Sequence, residues 1–287
     1  AYNEVWVDRE AYGGIKKDAL PEYLDANDYP AGIRPTLRDT ISYLYASLLA
    51  NSAYWSATES NEAYLLNVND LLTLAKGSPE KHPLQRISRI LTDLEAWHKS
   101  QGNVGAALEA RLELCRLLSK HFTVAQDALA IRTNLENTLK EAESDSWWAE
   151  GMAVLAELTM LDESWDSLNK ARQIALKGIE AFPHSQGARH CKSIVGQIEQ
   201  PDYSTNSMES DALNRRSFEV LSKNLDKLYF RAYFLKDPLK YIQGSDSNVI
   251  FPEGDKLDKF IARRKPDVEW SVDLARFEDF RQHRTWV

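Results

Sequence analysis

Recognisable chemistry is scarce in this 287-residue chain. It holds no His-Glu-x-x-His, no Gly-x-Ser-x-Gly, no Gly-rich phosphate-cradling loop and no Cys-x-x-Cys, so the short motifs that announce an active site are missing. No run approaches the ~20 apolar residues of a membrane-spanning helix. No signal peptide opens the sequence, and no Asn-x-Ser/Thr acceptor occurs. Only two cysteines are present, Cys115 and Cys191. Both fall on apolar helical stripes, as buried free thiols do, and a disulfide between them stays open.

What is there suits a globular protein. A content of 43% hydrophobic and 27% charged residues excludes a disordered or collagen-like chain, and the length allows two domains, each with its own core. The net charge is −8, with the acid excess in the first 200 residues and residues 201–287 near neutral. An acidic helical part argues against a nucleic-acid partner, since phosphates need a basic face. The basic runs Arg215-Arg216 and Arg263-Arg264-Lys265 read as solvated loop charges. The first residue is Ala1 rather than Met, which fits a processed protein or an excised domain.

The dominant pattern is a change of period at Pro201. Upstream, apolar residues recur at helical spacing. Thr36 is a candidate N-cap with Asp39 three residues on, opening a helix striped by Leu37, Ile41, Leu44, Tyr45, Leu48 and Leu49 and ending near Asn51. Asn61–Leu74 reads as a shorter helix, stopped by Gly77 and Pro79. From Pro83, six stripes follow with short breaks, the last two carried by Leu168 to Phe182 and Cys191 to Ile198. Leu155 and Ile179 fall mid-stripe and are expected in the core. Six helices in three hairpins, with Gly102-Asn103 at a turn and Ala107 at a close approach, resemble tetratricopeptide (TPR) repeats of longer than usual period. The same residues also suit packing in any all-α bundle.

Downstream, strand signals cover Tyr203–Met208, Ser217–Lys223, Lys227–Leu235 and Val268–Leu274, with the start of another at Trp286-Val287. Phe218, Val220, Leu228, Phe230, Ala232 and Phe234 share one face, and seven of nine phenylalanines lie after Pro201. Asn224-Leu225-Asp226 predicts a hairpin between the middle two strands. Asp237-Pro238, Gly244-Ser245-Asp246 and Pro252-Glu253-Gly254 are loop punctuation. About four strands fall short of the ~seven of a sandwich.

No catalytic, cofactor-binding or metal-ligating residue is assigned. His184 and His190 are off the i, i+4 spacing of a helical metal pair. Gly244 to Asn248 with Asp255 and Asp258 lacks the calcium-loop pattern and reads as a solvated loop. Asp162-Glu163 reads as a helix start that Ser164 can cap. Trp147, Trp148 and Trp165 flank one turn and read as hairpin core.

The segment Ala171–Phe234 is similar to the junction between helical repeats and the first β-sandwich in large bacterial alpha-2-macroglobulin-like proteins. The matching positions are Phe182, Pro183, Ser185, Gly187, Cys191, Ile198 and Pro201, then Lys223-Asn224-Leu225, Lys227 to Arg231 and Tyr233. Trp270–His283 is similar to the family's next strand and Asp-Tyr-x-x-His turn, with Phe280 in place of the tyrosine. The combined pattern covers about a third of the chain. The resemblance implies an extracytoplasmic envelope protein, in periplasm or at the cell surface, that binds or traps proteases in defence or colonisation. The family's thioester motif, Cys-Gly-Glu-Gln, is absent; neither Cys115 nor Cys191 lies in such a setting.

The expected fold is therefore mainly α: a helical segment over 1–82, a TPR-like helical-hairpin solenoid over 83–200, and an incomplete macroglobulin-like antiparallel β-sandwich over 201–287. The expected function is a non-catalytic scaffold and protein-binding region, without cofactor or metal, whose partners are proteases or other envelope proteins and the rest of a parent chain. The alternative is a TPR-like adaptor holding a peptide on its concave face. An all-α enzyme would need inward carboxylates or a metal cluster that the sequence does not display.

Overall fold

The computed structural model describes residues 2–19, 22, 28–73, 80–207, 217–234 and 255–287. The chain is mainly helical, followed by a small antiparallel β region, and divides into two compact units, Ala1–Ile198 and Glu199–Val287. Among the described residues no helix is long and apolar enough to cross a membrane.

The first unit runs through α1 (Tyr2–Val7), α2 (Leu37–Ala50), α3 (Ala57–Glu62), α4 (Val68–Leu72), α5 (Pro83–Ser100), α6 (Val104–Ser119), α7 (Ala125–Glu141), α8 (Trp148–Met160), α9 (Ser167–Ala181) and α10 (Gln186–Glu199). Thr36 and Asp39 close a full capping box on α2, satisfying backbone donors that a helix start leaves orphaned. The helix expected over Asn61–Leu74 is instead broken: a 3₁₀ turn, Ala63–Leu65, follows α3, and Asn67 then caps α4 by accepting from Asn69 N. The side chain of Asn67 competes with helical pairing and restarts the chain. Leu74, Gly77 and Pro79 lie outside the described residues.

Residues before Pro83 share the first unit with the helices that follow. Lys17 N donates to Pro35 O and Leu37 N to Ile15 O, tying the N-terminal stretch to the start of α2. The core is aliphatic, with Leu84, Ile87, Leu91 and Leu94 of α5, Leu112 and Leu118 of α6, and Ile131 and Leu135 of α7 fully buried. Leu155 is buried too, but Ile179 is only half-buried, against expectation. The buried row of α9 is Ser167, Ala171, Ala175 and Gly178; small residues let the helices approach closely, and the larger Ile179 is turned to the flank. A Cβ at Gly178 would lie 2.7 Å from Cys191 Sγ.

The second unit contains β1 (Asp202–Ser207), β2 (Phe218–Lys223), β3 (Lys227–Ala232), α11 (Asp255–Ala262), β4 (Val268–Asp273) and β5 (His283–Trp286). The hairpin expected at Asn224-Leu225-Asp226 does not form. β2 pairs with β1 and β5, whereas β3 pairs with β4, all antiparallel, giving sheets of three and two strands. Asn224 adopts φ 56°, a left-handed conformation that Asn tolerates, and the chain crosses there from one sheet to the other. Phe230 stacks on Trp270 across β3 and β4 (centroids 5.0 Å) and meets Phe218 of β2 at 6.4 Å. Val220 is the most deeply buried residue of β2. Phe234 lies beyond β3 and is exposed. Met208, Arg215-Arg216, Leu235, Asp237-Pro238, Gly244-Ser245-Asp246 and Pro252-Glu253-Gly254 lie outside the described residues.

Candidate functional site

Inward carboxylates do exist in the first unit, and cations enclose them. Glu109 of α6 is fully buried. Arg34 reaches its Oε1 through Nη2 at 2.6 Å, and Trp147 Nε1 donates to its Oε2 at 2.9 Å. The Arg34 guanidinium lies 3.5 Å from the Tyr43 ring centroid and 4.4 Å from that of Tyr29. Its burial disfavours the charge, yet Glu109 and its neighbours hold its pKa above the ordinary value. Burial, reinforced by Glu109, pushes the Tyr29 phenol up to about 12.

The chain of charges continues across the helices. Arg116 joins Glu109 to Glu150 of α8, whose Oε1 lies 2.7 Å from Nη2. Glu150 faces His190 Nδ1 at 3.2 Å, and His190 Nε2 meets Glu157 at 2.9 Å. Hydrogen bonds to Glu150 and then Glu157 raise His190 to about 10. An imidazole held charged at that level is a poor proton shuttle near neutrality. These groups are engaged in holding α6, α8 and α10 together.

The residues singled out in the sequence do not converge. His184 is exposed, while His190 is committed to its two glutamates. No group of three or more metal-ligating side chains occurs among the described residues. Asp255 and Asp258 occupy the first turn of α11 and are exposed; Gly244 to Asn248 lie outside the described residues. Ser164 does not cap α9, whose N-cap is Asp166; Asp162 instead accepts from Ser164 N and pairs with Arg132 at 2.7 Å. Of the tryptophans, Trp147 is buried and Trp148 packs near Phe182, but Trp165 is 74% exposed and leaves the cluster. Cys115 and Cys191 are free thiols, both pushed up to about 12 by burial. Cys191 Sγ donates to Ala149 O at 3.4 Å, beside Gly187, whose missing Cβ leaves room for the Ala149–Glu150 backbone. The Gly-x-x-x-Cys spacing thus seats α10 on α8.

The sequence reading missed an open cavity of about 460 Å³ between the Ala63–Leu65 turn and the turn joining α6 to α7. Its wall includes Trp55, Tyr64, Leu66, His121, Phe122 and Val124. Trp55 Nε1 donates to Leu49 O at 2.7 Å, fixing the indole. The ring stacks on His121 (centroids 4.9 Å) and meets His82 edge-on at 5.0 Å. His82 is itself held, with Nδ1 accepting from Leu84 N and Nε2 2.8 Å from Glu59 O. Burial lowers the pKa of His121, and its Nε2 is buried without a hydrogen-bond partner. Tyr64 and Leu65 stand 91% and 83% exposed at the rim. A sequence signal exists in hindsight: no Lys or Arg falls between Arg38 and Lys76, although this stretch holds four tyrosines and a tryptophan. A second, wider cavity of about 650 Å³ lies beside Trp147, Phe182 and His184. Set against protein-family models, curated protein sequences and solved structures, the chain matches none.

Proposed function

We propose that the chain is a non-catalytic scaffold that binds other proteins. In this reading it joins a degenerate TPR-like array to the opening of a macroglobulin-type β-sandwich, in an alpha-2-macroglobulin-like protein that works outside the cytoplasm and binds or traps proteases. The observation that carries protein binding is the contrast within the first unit. Its interior ionic groups are matched to one another, while Tyr54, Tyr64, Leu65 and Val124 stand exposed close in sequence to, or lining, the Trp55 cavity. A cluster of large apolar side chains left in water is the ordinary mark of an interaction surface.

Two further features support the finer parts of the reading. Helices α5 to α10 follow one another with short connections, α5 to α9 each packing on the next, and buried Ala107 occupies the small-residue position of the repeat pattern. In the second unit the resemblance-bearing residues have structural work: Asn224 turns the chain between sheets, and Asp279 accepts from Arg281 N and meets His283 Nε2 at 2.9 Å. The test is binding of purified endoproteases to the immobilised chain, read by biolayer interferometry. Saturable binding without cleavage of added peptide substrates by the chain is expected. Binding no stronger than to an inert protein, or substrate turnover by the chain, would overturn it.

A further inference from the structure

A carboxylate in the wall of the Trp55 cavity has no ionic partner among the described residues. Asp127 lines the cavity from α7, half-buried, and its carboxylate forms no ion pair or hydrogen bond among the described residues. Among the described residues no Lys or Arg lines the cavity, and His121 in its wall carries an unpartnered ring nitrogen. The volume falls within the roughly 300–1,000 Å³ of ligand-sized pockets, and its wall is mixed, with Trp55, Tyr64, Phe122 and Val124 beside Ser60 and Asp127, which suits one bulky side chain with a charged neighbour. We infer that the Trp55 cavity takes a cationic peptide segment of a partner protein, with one large aliphatic or aromatic side chain seated between Tyr64 and Phe122 and an adjacent Lys or Arg facing Asp127. This rests on the scaffold reading and gives the partner's chemistry.

The assignment follows from complementarity. Hydrophobic burial supplies the anchor, and an unpaired carboxylate at a half-buried wall gives a cation more attraction than it would find in open water. Rim charges of this kind govern encounter and specificity, and their effect weakens with salt.

The probes are two short synthetic peptides, one of Lys, Leu and Phe and a twin with every Lys replaced by Glu, each carrying a fluorophore for anisotropy against the full chain. The Lys peptide is expected to bind at least about tenfold more tightly than its twin, with affinity falling as salt is added. Tyr64→Ser and Asp127→Lys, both at solvent-accessible positions, are each expected to weaken it about tenfold with an unchanged circular dichroism spectrum. Equal binding of the two peptides, no binding of either, or parent-like affinity in both variants would overturn the inference. So would a dimer of the parent chain that the same substitutions abolish, since the occupant would then be a second copy. Protease capture that persists in Asp127→Lys leaves the scaffold reading standing and removes this one. Peptide selectivity without protease capture does the reverse.

Discussion

Asp39 uses its two carboxylate oxygens for two different helices. Oδ2 accepts from Thr36 N and Oγ1, closing the N-terminus of α2, while Oδ1 lies 2.7 Å from His98 Nε2 on α5, with both side chains fully buried. One residue therefore sets where α2 starts and where it docks. His98→Ala leaves the buried oxygen without its partner, and an unfolding penalty of about 3–5 kcal/mol is expected. Urea denaturation checks this; a loss below about 1 kcal/mol would show that the pair contributes little.

Leu155 and Ile179 should separate clearly. Leu155→Ala is expected to cost about 2–5 kcal/mol, as for a buried leucine. Ile179→Ala, at a half-buried flank, is expected to cost less than half as much. Equal shifts in melting temperature would contradict the packing of α9 through Ala171, Ala175 and Gly178.

Two glycines of α10 predict opposite signs. At Gly187 an added Cβ runs into the Ala149–Glu150 backbone, whereas at Gly196 nothing lies within 4 Å. Gly187→Ala should destabilise by about 1–3 kcal/mol through overpacking. Gly196→Ala should stabilise by about 0.5–1 kcal/mol, because alanine loses less backbone entropy in a helix. Chemical denaturation of both variants reads the two signs directly.

Stability should depend on alkaline pH through His190. Its folded pKa of about 10 lies above the ordinary 6.5, so its contribution is complete below about 6.5 and is lost as pH rises toward 10. The urea midpoint is expected to fall between pH 7 and pH 9, and the slope to flatten in His190→Gln. A slope unchanged by that substitution would assign the dependence to another group.

The sequence exposed what depends on neighbours along the chain. The Thr36–Asp39 box, the starts of α5 to α8 and the alternation of β3 all follow from local spacing, and each is present. Features set by distant contacts were not legible. Ile179 reads as core because its stripe is apolar, yet which side of that stripe faces α8 depends on the small residues beside it. Asn224 to Asp226 has a hairpin's length, but β2 finds a better partner in β5, far downstream. The Trp55 cavity gathers residues from α2's end to α7, so no single window contains it. Glu109 looks like any helical glutamate until Arg34 arrives from the segment before α2.

The strand order of the second unit also has a temporal consequence. β2 is the centre of its sheet, but its two neighbours come from opposite directions along the chain, β1 just before it and β5 at residues 283–286. During synthesis the β1–β2 pair emerges with one side bare and waits until β3, α11 and β4 have all been made. Closing so long a loop is slow, and an unpaired edge is open to wrong partners meanwhile. The first unit, whose helices pack largely on near neighbours in sequence, faces no such delay.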